Sequence, residues 1–218
     1  MISINPEHQT ERDNYKLLIG SIIPRPVALV TTLSPEGVLN AAPFSYFNIV
    51  TADPPMVSVA VQRKNGATKD TARNAATAGA FVVHIADEAY IRELNLTAAP
   101  LPPEESEVEA AGLTPITSEA VAVPGIAEAK IRMECVLERS IPLGGTGQVP
   151  SVDLLVGRVV RFHIDEALYE SGRIDPHGLR PVSRLAGNSY ARLGEVFELE
   201  RPRYDLGIAG SVGSQQTH

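Results

Sequence analysis

Between Arg63 and Thr71 the chain gathers Arg63, Lys64 and Lys69 around Gly66, with Thr68 and Thr71 adding hydroxyls where a helix begins. Free amides and the positive end of a helix dipole bind anions, and nearby cations strengthen that. Asp70 would oppose a phosphate, so capping the helix, a role Thr68 could also fill, suits it better. An ordinary solvated, capped helix start would use the same residue types.

Just ahead, Asn40-Ala41-Ala42-Pro43-Phe44-Ser45-Tyr46-Phe47 sets a stiff proline turn beside a hydroxyl and three aromatics. The chain is only 5% aromatic and has no tryptophan, so this is a local concentration. Backbone amides there could bond the edge of a heterocycle while apolar side chains cover its face. A plain core aromatic cluster is the other reading. Between the two segments, Met56–Gln62 reads as a strand with Val57, Val59 and Val61 on its core face and the small Ser58 and Ala60 opposite. That small face admits either a flat ligand or tight sheet packing. Residues 40–71 are thus the candidate site for a phosphorylated, planar, partly apolar ligand.

Other chemistry is poorly represented. The chain has no G-x-S-x-G, H-E-x-x-H, Walker-type or C-x-x-C segment, and Gly144-Gly145-Thr146-Gly147 lacks the spacing of a dinucleotide fingerprint. The five histidines are scattered without ligand spacing, so no metal site is expected, and His84 and His163 read as satisfied strand residues. The single cysteine, Cys135, lies in an alternating strand and reads as a core thiol. A net charge of −7 disfavours nucleic acid as a partner. With no signal-like N-terminus and no long apolar run, a cytoplasmic protein without membrane contact is expected.

The elements that must position the site are mostly strands. Tyr15–Gly20 reads as a helical turn closed by glycine, Val27–Leu33 as a strand, Ser34–Gly37 as a hairpin turn, and Val38–Ala41 as the return strand. Thr68–Ala78 reads as a helix with Gly79 as its C-cap, and Phe81–Ala86 as a strand. Asp87 would cap a helix reaching Leu96, residues 97–107 form a surface loop, and Glu107–Ala111 a short helical turn. Ala129–Leu137 alternates, with Ile131, Met133 and Cys135 facing inward and Lys130, Arg132 and Glu134 outward; Asp153–Ile164 is a long strand. Many strands without a regular βαβ rhythm suggest a closed β-barrel with helical insertions.

An ordered set of short segments carries a family resemblance. It comprises Pro24-Arg25-Pro26-Val27, Asn40-x-Ala42-Pro43-x-Ser45-x-Phe47-Asn48, Asp53-Pro54-Pro55 and Lys69-Asp70-Thr71-x-x-Asn74. The Phe81-Val82-Val83 strand and Arg184-Leu185-x-Gly187-x-x-Tyr190 complete it. Over about residues 15–200 the chain resembles the flavin reductase-like family, whose members share the FMN-binding split barrel. The resemblance implies a mainly β fold with helical insertions, a split β-barrel forming one domain over residues 1–206. A flexible Gly/Ser-rich tail would follow at 207–218.

It also implies FMN at a homodimer interface. The turn bearing Asn40, Ala42, Pro43, Tyr46 and Phe47, with the Ser58-Val59 strand, would lie against the isoalloxazine. Arg63, Lys69, Thr71 and Ser45 would lie near the phosphate, and Asp70 and Tyr190 complete the cofactor-binding set. Family members often carry Asn where His84 stands, so no role is carried over to it. The implied activity is hydride transfer from NADH or NADPH to flavin, which needs no acid–base side chain, so no catalytic residue is assigned. The reduced flavin could serve a partner oxygenase. The alternatives are an FMN-binding electron carrier without direct NAD(P)H activity and a non-flavin barrel.

Overall fold

The computed structural model describes residues 1–145 and 147–202, so the expected tail at 207–218 lies outside the described residues. The chain opens with helix α1 (Glu11–Ser21), capped by Thr10, whose Oγ1 accepts the Asp13 amide at 3.1 Å. The helix is longer than the expected turn. Gly20 lies inside it, and the Ile22 amide closes it on Leu18 O.

The body is a seven-stranded antiparallel sheet built from β2 (Ala28–Leu33), β3 (Leu39–Phe44), β4 (Phe47–Ala52), β5 (Pro55–Gln62), β6 (Ala80–Ile85), β7 (Ile131–Leu143) and β8 (Val152–Ile164), entered through the short β1 (Arg25–Pro26). Its order is β3-β2-β6-β7-β8-β5-β4. The two edge strands, β3 and β4, are consecutive in the chain and separated only by Ser45 and Tyr46, so the sheet must curl back on itself. At the seam the Ala60 amide donates to Tyr46 O at 2.8 Å. This is the expected mainly β barrel with helical insertions.

Side-chain alternation decides what fills it. Val57, Val59 and Val61 are buried as expected, alongside Val30, Phe81, Leu155 and Cys135, with Ala72 and Ala75 of helix α2 (Asp70–Ala78) packed against them. Burial pushes the Cys135 thiol up to about 12, so it is an inert core residue. A second cluster covers the other face of β2, β3 and β6, where Leu29 and Val82 meet Tyr90, Val108 and Leu94. Leu94 belongs to α3 (Ile91–Leu96) and Val108 to α4 (Glu107–Ala110). The α3 helix starts later than expected, and Asp87 instead ties the turn before it through the Ala89 amide at 2.7 Å. A small antiparallel sheet of β1, β9 (Val182–Arg184) and β10 (Tyr190–Arg192) closes one end.

Two polar residues depart from simple alternation. Glu134 was expected on the outer face, yet it is fully buried because the loop at 119–121 folds over that face. Its carboxylate accepts the amides of Glu119, Ala120 and Val121 at 2.8, 2.6 and 3.1 Å, and His163 Nε2 lies 2.5 Å away. Burial alone would raise this carboxyl, but those hydrogen bonds outweigh it and hold the group below its ordinary value. His84 is the satisfied strand residue expected. Its Nδ1 lies 3.0 Å from Leu29 O, and its Nε2 accepts the Ile126 amide at 2.9 Å, which fixes a neutral ring.

The long β7–β8 pair carries register shifts at Val156/Gly157 and Val159/Arg161. A Cβ at Gly157 would sit 2.3 Å from Phe81 Cζ and 3.1 Å from Cys135 Cβ, so the phenyl ring occupies the space that the glycine leaves. Gly157→Ala should therefore destabilise the barrel by about 1–3 kcal/mol. Gly20→Ala is the opposite control: it lies in α1 with nothing near its Cβ position. That change should stabilise by about 0.5–1 kcal/mol. Denaturant midpoints of the two variants should move in opposite directions.

Candidate functional site

A cavity of about 550 Å³ opens where the barrel seam meets α1 and the small sheet. The seam contributes Pro43, Phe44, Ser45 and Tyr46, and β5 contributes Ala60 and Gln62. Lys69 stands at one side. Tyr15 and Ile19 of α1, Asn95 of α3 and Ala98 just after it, and the turn from Arg184 to Tyr190 supply the remaining walls.

Of the residues singled out from sequence, the structure brings Pro43, Ser45, Tyr46, Lys69 and Tyr190 to this cavity. Others of that set sit behind it or elsewhere. Phe47 faces Val59 across β4–β5, and both are buried in the barrel core, with Ala42 packed against the same cluster. Ser58 pairs with Asn48 further along the strand, its Oγ 3.4 Å from Asn48 O, so Ala60 is the small residue that faces the cavity.

Asn40 and Thr71 belong to a buried polar network. Asn40 Nδ2 donates to both Glu107 oxygens at 3.0 and 2.9 Å, while its Oδ1 accepts from Thr32 and Thr71, each at 3.2 Å. Burial raises the Glu107 carboxyl, with these hydrogen bonds opposing the shift. The network's consequence is positional: Thr71 pins the first turn of α2 to β3, which fixes where that helix points. Arg63 is turned away and held bidentate by Asp153, at 2.8 and 2.6 Å.

Asp70 is not the helix cap. Lys69 occupies the N-cap position without a side-chain cap bond, and Asp70, one residue later, pairs with Arg73. The first amides of α2 therefore have no side-chain partner, and the nearby carboxylate is balanced by a guanidinium.

Arg25 is the residue whose role sequence reasoning missed. It is buried and lines the cavity. Its Nη1 donates to Ile19 O and Ile22 O at 2.8 and 2.5 Å, and its Nη2 to Leu185 O at 2.9 Å. The guanidinium thus ties the C-terminal end of α1 to the 185 turn, while its Nε is buried without a partner. An arginine between two prolines at the mouth of a buried strand was the available signal. Burial, reinforced by Tyr15, pushes the Tyr46 phenol up against the opposing pull of Arg25, so it stays a protonated donor. On the far wall Arg184 stacks over Tyr190 at 4.5 Å and donates to Gly187 O at 2.6 Å. Among the described residues no cluster of three or more His, Cys, Asp or Glu could hold a metal, and no helix is long and apolar enough to cross a membrane.

The fold and site together are a closed antiparallel barrel with a cofactor-sized cavity at its seam, walled by a proline turn, an uncapped helix start and a stacked cation. The family model for the flavin reductase like domain matches residues 19–178, and the chain belongs to that family, with the split-barrel fold expected of it. Nitrilotriacetate monooxygenase component B from Bacillus cereus is 68% identical, superposes with a TM-score of 0.90, and is covered over 98% of its length by 91% of this chain. The 2-nitrobenzoate 2-nitroreductase of Pseudomonas fluorescens is 33% identical with a TM-score of 0.83, over 96% of this chain and 100% of that one. The uncharacterized protein YwrF of Bacillus subtilis is 53% identical over 204 residues, 93% of this chain and all of that relative.

Proposed function

We propose that the cavity holds FMN and that the protein is an NAD(P)H-dependent flavin oxidoreductase, its domain spanning residues 1–206. The observation that carries this is one cavity joining the Pro43–Tyr46 turn to Lys69 and Arg25, beside the uncapped α2 start. Its volume of about 550 Å³ falls in the range of roughly 300–1,000 Å³ usual for cofactor sites. A planar, acceptor-rich ring with a phosphate tail also answers two open valences, the unpartnered Arg25 Nε and the free amides of α2.

When bound, FMN would supply the ring that accepts hydride from reduced nicotinamide, and that chemistry is the cofactor's own. The chain's part is to hold and shield it. Lys69 and the α2 amides would neutralise the phosphate, and the Pro43–Tyr46 backbone would meet the ring edge. Arg25 Nε would donate to a ring or ribityl oxygen, while Ile19 and Leu185 would exclude water. Asn40 and Thr71 would act by aiming α2 rather than by touching the ligand. Lys69→Ala should weaken FMN binding about tenfold, more at low salt, without lowering thermal stability, since Lys69 is exposed and makes no cap bond. Flavin fluorescence titration and a melting curve check both halves.

The 68% identical relative is named as component B of a monooxygenase, which supports a partner oxygenase as the consumer of reduced flavin. A homodimer is supported by the apolar surface on α1, where Leu17, Leu18 and Ile22 are exposed, and by Ile49 and Val50 on the edge strand β4. A cytoplasmic setting, where reduced nicotinamide is supplied, belongs to the same proposal. Anaerobic mixing of FMN-loaded protein with NADH or NADPH tests the activity. Bleaching by at least one donor is expected, and bound flavin that stays oxidised with both would identify an electron carrier instead.

A further inference from the structure

Beside the proposed flavin cavity lies a second lobe of about 570 Å³, the two sharing Asn95, Arg184, Asn188 and Tyr190 as lining. Only Ile91 and Arg92, at the start of α3, complete its lining. Among the described residues no carboxylate lines this lobe, although the chain carries 26 acidic against 19 basic residues. The neighbouring cations are already matched: Arg180 and Arg192 both pair with Glu88, at 2.8 and 3.1 Å. Arg184 spends its hydrogen bonds on Gly187 O and the Tyr190 hydroxyl, neither of which cancels its charge. Arg92 is exposed and makes no ion pair among the described residues. Two uncompensated guanidiniums with two amide side chains make a wall rich in donors, which selects for an anion of high charge density.

We propose that this lobe binds a phosphate group of the nucleotide electron donor, with Arg92 as the residue that reads it. The proposal rests on the function proposed above for its choice of a nucleotide, because the lobe shares a wall with the proposed flavin cavity. Arg184, stacked on Tyr190, forms the boundary between the two lobes and adds the second positive charge. The phosphate has two sources in such donors: the pyrophosphate common to NADH and NADPH, or the 2′-phosphate of NADPH alone.

Calorimetric titration with adenosine 2′,5′-bisphosphate, ADP and adenosine separates them. It is run on the protein both free of FMN and saturated with it. Wild-type protein should bind at least one of the phosphorylated nucleotides and discriminate against adenosine. Arg92→Ala should weaken that binding about tenfold, Arg92→Lys should recover part of it, and Arg173→Ala, an exposed charge on a remote hairpin, should leave it unchanged. Loss for the bisphosphate alone identifies the 2′-phosphate, and equal loss for ADP identifies the pyrophosphate. Equal binding by wild type and Arg92→Ala, adenosine binding as tightly as ADP, or no binding of either phosphorylated nucleotide would overturn the proposal. Failure of FMN itself to bind would overturn the flavin function instead, and the FMN-free titrations would still decide the lobe.

Discussion

Arg25→Ala should abolish tight flavin binding and lower stability by about 2–4 kcal/mol. The side chain satisfies three carbonyls, Ile19 O in the last turn of α1, Ile22 O at its C-cap and Leu185 O of the opposing turn. Its removal leaves them facing each other across a gap, and the α1 wall of the cavity is then no longer tied to the 185 wall. A positive charge near the C-terminal end of α1 is also lost. Arg25→Lys separates charge from geometry: an ammonium keeps the charge but cannot span three carbonyls and still present a further N–H, so it should recover some stability and little flavin affinity. Chemical denaturation and FMN titration read the two effects. An alanine variant with wild-type stability and affinity would contradict the role assigned to Arg25.

Acid should destabilise the fold through His84 before the lowered carboxylate of Glu134 contributes. Burial lowers this ring from its ordinary 6.5 to about 4 in the folded protein. The unfolded chain therefore takes up the proton first as pH falls. The stabilisation is fully present above about 6.5 and is lost progressively towards 4, by about 3 kcal/mol over that window. Glu134 adds a later loss, since a carboxyl held below its ordinary value contributes stability above its unfolded pKa and loses it as pH falls further. Glu107 and Asp87, both raised mainly by burial, act in the opposite sense. The decisive comparison is thus His84→Asn against wild type rather than the wild-type curve alone. Urea unfolding at about pH 7.5 and about pH 5 should show a smaller acid loss in the variant. Equal losses would mean that His84 does not titrate between folded and unfolded states.

What could be read before folding was local. Val57, Val59 and Val61 declared the barrel face of β5 by alternation, Gly79 adopts the left-handed C-cap its position suggested, and Ser34–Gly37 makes its hairpin. The proline turn and Lys69 were legible for the same reason, as a run of unusual residue types close together. What escaped was each choice made by a distant partner. Arg63 looks like an anion ligand until Asp153, 90 residues later, fills its fork. Asn40 looks free until Glu107 arrives from 67 positions away. Glu134 looks solvent-facing until the 119–121 loop covers it. Two walls of the cavity, from α1 and from Arg184–Tyr190, come from opposite ends of the chain, and the prolines flanking Arg25 marked its position without showing that it joins them.

The most direct measurement is titration of the purified, flavin-free protein with FMN, followed by flavin absorbance and fluorescence with Arg25→Ala and Lys69→Ala alongside. Saturation at tens of micromolar or below, with one FMN per chain and weaker binding in both variants, is the expected result. An unperturbed flavin spectrum at that concentration, or equal affinity in all three proteins, would contradict the cavity's assignment as the FMN site.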